Sequence, residues 1–113
     1  MVIRTSSSKE IEKLVARLRD GSPVQREAAI ARLRVIGARA IDRLVALLRA
    51  PAPAIVHASA LKALEGIDDV RSRDLALESL KAPTPAVAAA AVAALRQRLG
   101  SDPLVLDAIT GLA

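Results

Sequence analysis

The chain has 113 residues and carries 17 Lys and Arg against 12 Asp and Glu, a net charge of +5, with one histidine, one methionine and no Cys, Phe, Trp or Tyr. A chain of this length can bury a core, but that core has to be built from Ala, Leu, Val and Ile. Without cysteine there is no disulfide, no thiolate nucleophile and no Cys-ligated zinc or iron–sulfur site, and one histidine cannot supply a His-based metal site by itself.

Apolar spacing predicts helices over residues 8–19, 23–36, 39–49, 53–66, 70–81, 85–99 and 103–112, and no stretch sustains the alternation of a strand. In the first of these, Ile11, Leu14, Val15 and Leu18 fall on one face, and Ser7 with Glu10 has the spacing of a capping box. Ser22-Pro23 opens the second, again with a capping-box partner, Gln25. Ile41, Leu44, Val45 and Leu48 make the stripe of the third, and Ala60, Ala63, Leu64 and Ile67 that of the fourth. Asp68-Asp69 reads as a turn that caps the helix starting near Val70; the competing reading is a pair of oxygen ligands for a hard cation. Thr84-Pro85 and Asp102-Pro103 open the last two helices, and Gly21, Gly37, Gly66 and Gly100 stand where helices should stop.

Laid on itself, the chain repeats. IEKLVARLRDGSP at 11–23 returns as IDRLVALLRAPAP at 41–53 and, more diverged, as RDLALESLKAPTP at 73–85; Ala29, Ala60 and Ala91, then Leu33, Leu64 and Leu95, recur every 31 residues. Two alternating helical blocks per unit are the sequence pattern of a stack of helical hairpins, each too small to bury its own stripe.

The stretch Val56-His57-Ala58-Ser59-Ala60-Leu61-Lys62-Ala63-Leu64-Glu65-Gly66-Ile67 resembles the first helix of a HEAT repeat, whose pattern is Val-Arg-x-x-Ala-x-x-Ala-Leu-x-x-Ile, with His57 in the arginine slot. Arg26, Ala29, Leu33, Ile36 and Gly37 fit the same pattern one unit earlier, and Val87, Ala91, Ala94 and Leu95 one unit later. Gln25 and Arg32 depart from it, standing where it has Val and Ala, and Arg98 interrupts the end of the third unit. The resemblance covers nearly the whole chain and looks most like the short bacterial HEAT-like repeat of about 31 residues, found also in phycobilin lyase families and in scaffolding proteins. It implies an all-α fold, a right-handed α-solenoid of about three and a half helical hairpins and about seven helices. Residues 1–113 then form one domain, with an N-terminal capping half-repeat at 8–21 and repeats at 22–50, 51–82 and 83–113, the second helices lining the concave face.

No Gly-x-Ser-x-Gly elbow, Gly-rich phosphate loop or HExxH is present. His57 titrates near neutrality when unperturbed, but its neighbours Val56, Ala58 and Ser59 offer no orienting carboxylate, so His57→Ala is expected to leave activity and stability nearly unchanged. Base or bilin handling leans on aromatic or thiol side chains, which this chain lacks. The expectation is no catalytic residue, no cofactor and no metal.

Charge follows the repeat. Glu12, Asp42 and Asp74 recur near the starts of the second helices, and Arg19, Arg49 and Lys81 at their ends. Either these complement the helix dipoles, or they form parallel acidic and basic ridges in which a peptide or helix lies on the concave face implied by the resemblance. Residues 1–50 carry eleven Lys and Arg against five Asp and Glu, and residues 51–113 six against seven, so the basic character belongs to the first half. There Lys13, Arg17, Arg43 and Arg49 crowd the second helices, with Arg26, Arg32, Arg34 and Arg39 on or beside the intervening first helix. With no stacking aromatic, any nucleic acid held there rests on phosphate contacts and fades with salt. The expected function is a non-enzymatic protein-binding scaffold using Glu12, Lys13, Arg19, Asp42, Arg43, Arg49, Asp74 and Lys81; the alternative is a nucleic-acid accessory module using the basic half.

The ends differ. The first helix sets Lys9, Glu10, Glu12, Lys13, Arg17 and Arg19 around its stripe, as a cap should, whereas the last holds Leu104, Val105, Leu106, Ile109 and Leu112 with only Asp107 and Thr110 as polar relief. That end is expected to be an association surface, most simply for a two-fold homodimer, or the edge of a longer repeat protein. The first residues lack an apolar leader, and the longest apolar run, 86–95, is about half what a bilayer needs, so the expectation is a cytoplasmic chain with no membrane partner.

Overall fold

The computed structural model describes the backbone of residues 2–111, with side chains from residue 8 onward except at position 97. The described residues form seven α-helices and no strand: α1 (Val2–Asp20), α2 (Pro23–Ile36), α3 (Ile41–Arg49), α4 (Ala54–Glu65), α5 (Val70–Ser79), α6 (Pro85–Leu95) and α7 (Pro103–Thr110). Short 3-10 turns follow α2 (Gly37–Ala40) and α6 (Arg96–Arg98). The punctuation acts chemically where the side chains permit. Ser22 Oγ accepts from the Gln25 amide while Gln25 Oε1 accepts from the Ser22 amide, which makes the expected capping box. Asp69 accepts from the Arg71 amide to cap α5, and Asp102 from the Leu104 amide to cap α7. Two expectations are corrected. Because α1 extends back to Val2, positions 7 and 10 lie inside the helix and not at its start. Thr84 precedes Pro85 as expected but makes no side-chain cap bond.

Helices alternate between two layers. α2, α4 and α6 touch in succession, and so do α1, α3, α5 and α7, with α4 meeting helices of both layers. The result is longer than wide, 47 × 27 × 22 Å. Ala29, Ala60 and Ala91 are buried, as are Leu33, Leu64 and Leu95, so the 31-residue period of the first layer is also the period of the core. Small side chains at the crossings let the helices approach, and the leucines fill the space between layers.

In the second layer each stripe opens on one buried residue: Ile11, Ile41, Ser72 and Val105. Ser72 is the exception in chemistry, since its hydroxyl is buried without a hydrogen-bond partner. An orphaned buried hydroxyl costs about 1–3 kcal/mol. Ser72→Ala should therefore stabilise the protein by about 1 kcal/mol in urea denaturation; a loss of stability instead would mean that the hydroxyl is satisfied.

Candidate functional site

Three grooves follow one another along the second layer. The groove between α1 and α3 is lined by Glu12, Val15, Arg19, Arg43 and Leu47 and encloses about 350 Å³. Between α3 and α5, Val45, Arg49, Arg71, Asp74 and Glu78 enclose about 310 Å³. The groove between α5 and α7 is the largest, about 750 Å³, with Leu77, Leu80, Leu104 and Ala108 as its apolar wall and Glu78, Lys81 and Asp107 on its rim. Each floor is apolar because the inward stripes of adjacent helices meet below it, and each rim is charged because the flanking positions face water.

Ion pairs accompany the first two grooves. Arg43 Nη2 lies 2.9 Å from Glu12 Oε1, and Arg71 Nη1 3.1 Å from Asp42 Oδ1, each tying a helix to the previous one of its layer; Arg49 and Glu78 approach to 3.8 Å. All are exposed, so each is worth at most about 1 kcal/mol. Between α5 and α7 the pairing moves to the start of the helices. There Arg73 donates to Asp74 at 2.9 Å and to Asp102 at 3.1 Å, with Arg73 and Asp102 only 21% and 16% exposed. Lys81 and Asp107 make no ion pair among the described residues, and the third groove stays open.

The charged residues expected from the sequence fall as follows. Glu12, Arg19, Arg43, Arg49, Asp74 and Lys81 line the three grooves, and Asp42 is tied to Arg71 beside the second. Lys13 does not join them: it lies with Arg17, Asp20 and Gln25 in a shallow depression between α1 and α2. The acidic row is not an open ridge, since Glu12, Asp42 and Asp74 each hold an arginine. The dipole account fits Asp42, in the first turn of α3, and Arg19 and Arg49, in the last turns of α1 and α3. It fails for Glu12, well inside α1, and for Asp74, past the first turn of α5, while Lys81 directly follows the C-cap of α5. Much of the basic half is likewise engaged within the fold. Arg32 pairs with Glu10 at 2.8 Å, and Arg26 donates to the carbonyls of Leu18 and Gly21 at the end of α1.

Arg34 donates to the carbonyl of Lys62 through Nε and Nη2, at 2.9 and 2.6 Å, and to Glu65 at 3.2 Å, so it closes the last turn of α4 from the neighbouring α2. Gly66 makes room for it, because a Cβ there would sit 2.4 Å from Arg34 Cδ. The sequence reading missed Arg34, Glu65, Arg71, Arg73, Glu78 and Asp102 as partners. A usable signal was present in opposite charges about one repeat unit apart.

At the apolar end, the last helix divides cleanly. Val105 is fully buried, so it does not belong to a free association face; Ile109 packs partly against the core, and Leu104 and Leu106 are 57% and 50% exposed. Leu112 lies outside the described residues.

His57 has a structural role. Its Nε2 lies 2.9 Å from the carbonyl oxygen of Ala50, just past the end of α3, and Arg26, one unit earlier, performs the same service for α1. His57→Ala should therefore cost about 0.5–1.5 kcal/mol rather than nothing, and His57→Arg should recover most of it in thermal melts. Asp69 is occupied as a helix cap, and Asp68 is fully exposed, 3.7 Å from Arg98. Among the described residues no group of three or more His, Asp or Glu could hold a metal ion.

Three of the paired carboxylates, Glu10, Asp69 and Asp102, titrate low. The Arg32 guanidinium holds Glu10 below the ordinary range, Arg73 does the same for Asp102, and the Arg71 amide, then its guanidinium, for Asp69. A carboxylate depressed in the folded state stabilises it above its unfolded pKa, and that contribution disappears as pH falls through the folded value. Thermal stability should thus be flat from about pH 5 to 8 and fall below about pH 4, with Asp102→Asn reducing the slope of the fall.

Compared with known proteins, the chain matches no family model, no curated protein and no solved structure. No helix among the described residues is long and apolar enough to cross a membrane.

Proposed function

We propose that this chain is a non-enzymatic binding scaffold of the HEAT-like α-solenoid type, a right-handed stack of helical hairpins that holds a protein partner along its second-helix layer in the cytoplasm. The observation that carries this reading is the open groove between α5 and α7, with apolar walls, an exposed Leu104, and on its rim Lys81 and Asp107, which make no ion pair among the described residues. A groove of several hundred Å³ with an apolar wall and a few polar groups on its rim suits an amphipathic helix or an extended segment. The internal pairing of Arg26, Arg32, Arg34 and Arg43 leaves fewer cations for a phosphate backbone, which weighs against the nucleic-acid alternative.

The test uses Leu104→Glu with Leu106→Glu. Both side chains are exposed, so the double variant should fold and melt like the parent, yet lose the partner that copurifies with the parent chain. Undiminished copurification overturns the reading. Sedimentation of the parent at micromolar concentration determines whether that partner is a second copy.

A further inference from the structure

We propose that α2 pairs side by side with α2 of a second copy of this chain, in a parallel two-fold dimer formed on the face of the helix turned away from its own core. α2 is apolar on two sides. Ala29, Ile30 and Leu33 are buried within the chain, whereas Val24, Ala28, Ala31 and Val35, spaced four, three and four apart, form a second stripe that is exposed throughout. Val24 and Val35, 79% and 73% exposed, are the most exposed large apolar side chains among the described residues. Steps of four and three make the seam of a two-stranded coiled coil, here with valines at its ends and alanines between them, where small side chains let two helix axes approach. A helix apolar on both faces is expected to be covered on both.

The charges beside the seam identify what covers it. Glu27 lies on the flank toward α4, where Lys62 pairs with it at 3.1 Å, and Arg32 on the flank toward α1, where Glu10 pairs with it at 2.8 Å. In a parallel pair each flank meets the opposite flank of the other helix, so Glu27 of each copy comes against Arg32 of the other, five positions further along. Flanking charges so placed set partner and orientation in coiled coils, and two-fold symmetry makes both attractions at once. The existing pairs are exposed and weak, and an arginine of this chain readily holds two carboxylates: Arg71 holds Asp42 and Asp69, and Arg73 holds Asp74 and Asp102. An antiparallel pair would keep like flanks together and set Arg32 against Arg32. Arg34, the cation that could answer Glu27 in that arrangement, is already held by the Lys62 carbonyl and Glu65.

The test is sedimentation velocity of the whole protein. A seam of four residues is short, so a reversible monomer–dimer equilibrium with Kd of about 10–100 μM is expected, and at about 1 μM, where denaturation is followed, the chain is a monomer. Glu27→Arg and Arg32→Glu are at exposed positions, so both variants should fold, and each should weaken self-association about tenfold or more. Mixed in equal amounts they should associate again, because one then carries cations on both flanks and the other carboxylates on both. Leu104→Glu with Leu106→Glu should leave this self-association intact, which separates it from the groove between α5 and α7. A monomer up to about 500 μM, indifference to Glu27→Arg or Arg32→Glu, failure of the mixture to associate, or loss through the groove variant each overturns the proposal.

Discussion

Leu64→Ala should destabilise the fold by about 2–5 kcal/mol, measured as a lowered denaturation midpoint with an unchanged slope. Leu64 is buried in the last turn of α4, the helix that touches α1, α2, α3, α5 and α6, so the space left by its side chain has packed neighbours on several sides. Part of the cost is lost transfer free energy and part is the cavity that remains. A domain of this size has about 5–15 kcal/mol in total, so the variant should sit near its unfolding threshold at physiological temperature. A loss below about 1 kcal/mol would mean that the two layers do not close around α4.

Ala60→Leu tests the same core from the opposite direction and should cost about 1–3 kcal/mol or more. Ala60 is fully buried where α4 meets its neighbours in the first layer, and a larger side chain there must push a helix away or leave its rotamer minimum. Ala31→Leu provides the control. It adds the same three carbons to an exposed position of α2 and should change the denaturation midpoint by less than about 0.5 kcal/mol. Equal effects at the two positions would show that the alanine crossings are not closely packed.

The helices were largely legible in the sequence, and the departures from expectation have local causes. Ser22, Asp69 and Asp102 cap as their spacing requires, since a cap needs only an oxygen a few residues from the amides it serves. The helices expected at 39–49 and 85–99 instead join 3-10 turns, at Gly37–Ala40 and at Arg96–Arg98. Gly37, at φ 78, turns the chain out of α2 in a conformation that a side chain would resist. Gln25 and Arg32 broke the repeat pattern on paper, and the structure supplies the reason: they occupy the exposed outer face of α2, where their counterparts Val56 and Ala63 face a helix.

The rows of charge show where such reading stops. Glu12, Asp42 and Asp74 could be seen as a periodic series, and opposite charges about one repeat unit apart were a signal, but that spacing did not decide which of the arginines in reach, Arg43, Arg71 and Arg73 among them, would neutralise each acid. By itself the sequence determined the all-helical class, the positions of the helices, the 31-residue period and the identity of most core residues, because these depend on side chains three or four apart on one helix. Tertiary structure alone decided which grooves are bridged, which cations remain free, that His57 caps a neighbouring helix, and that Val105 is core while Leu104 is surface. Those outcomes depend on how far each helix is shifted and rotated against the next, and ångström-scale displacements between residues a whole repeat apart leave no trace in local periodicity.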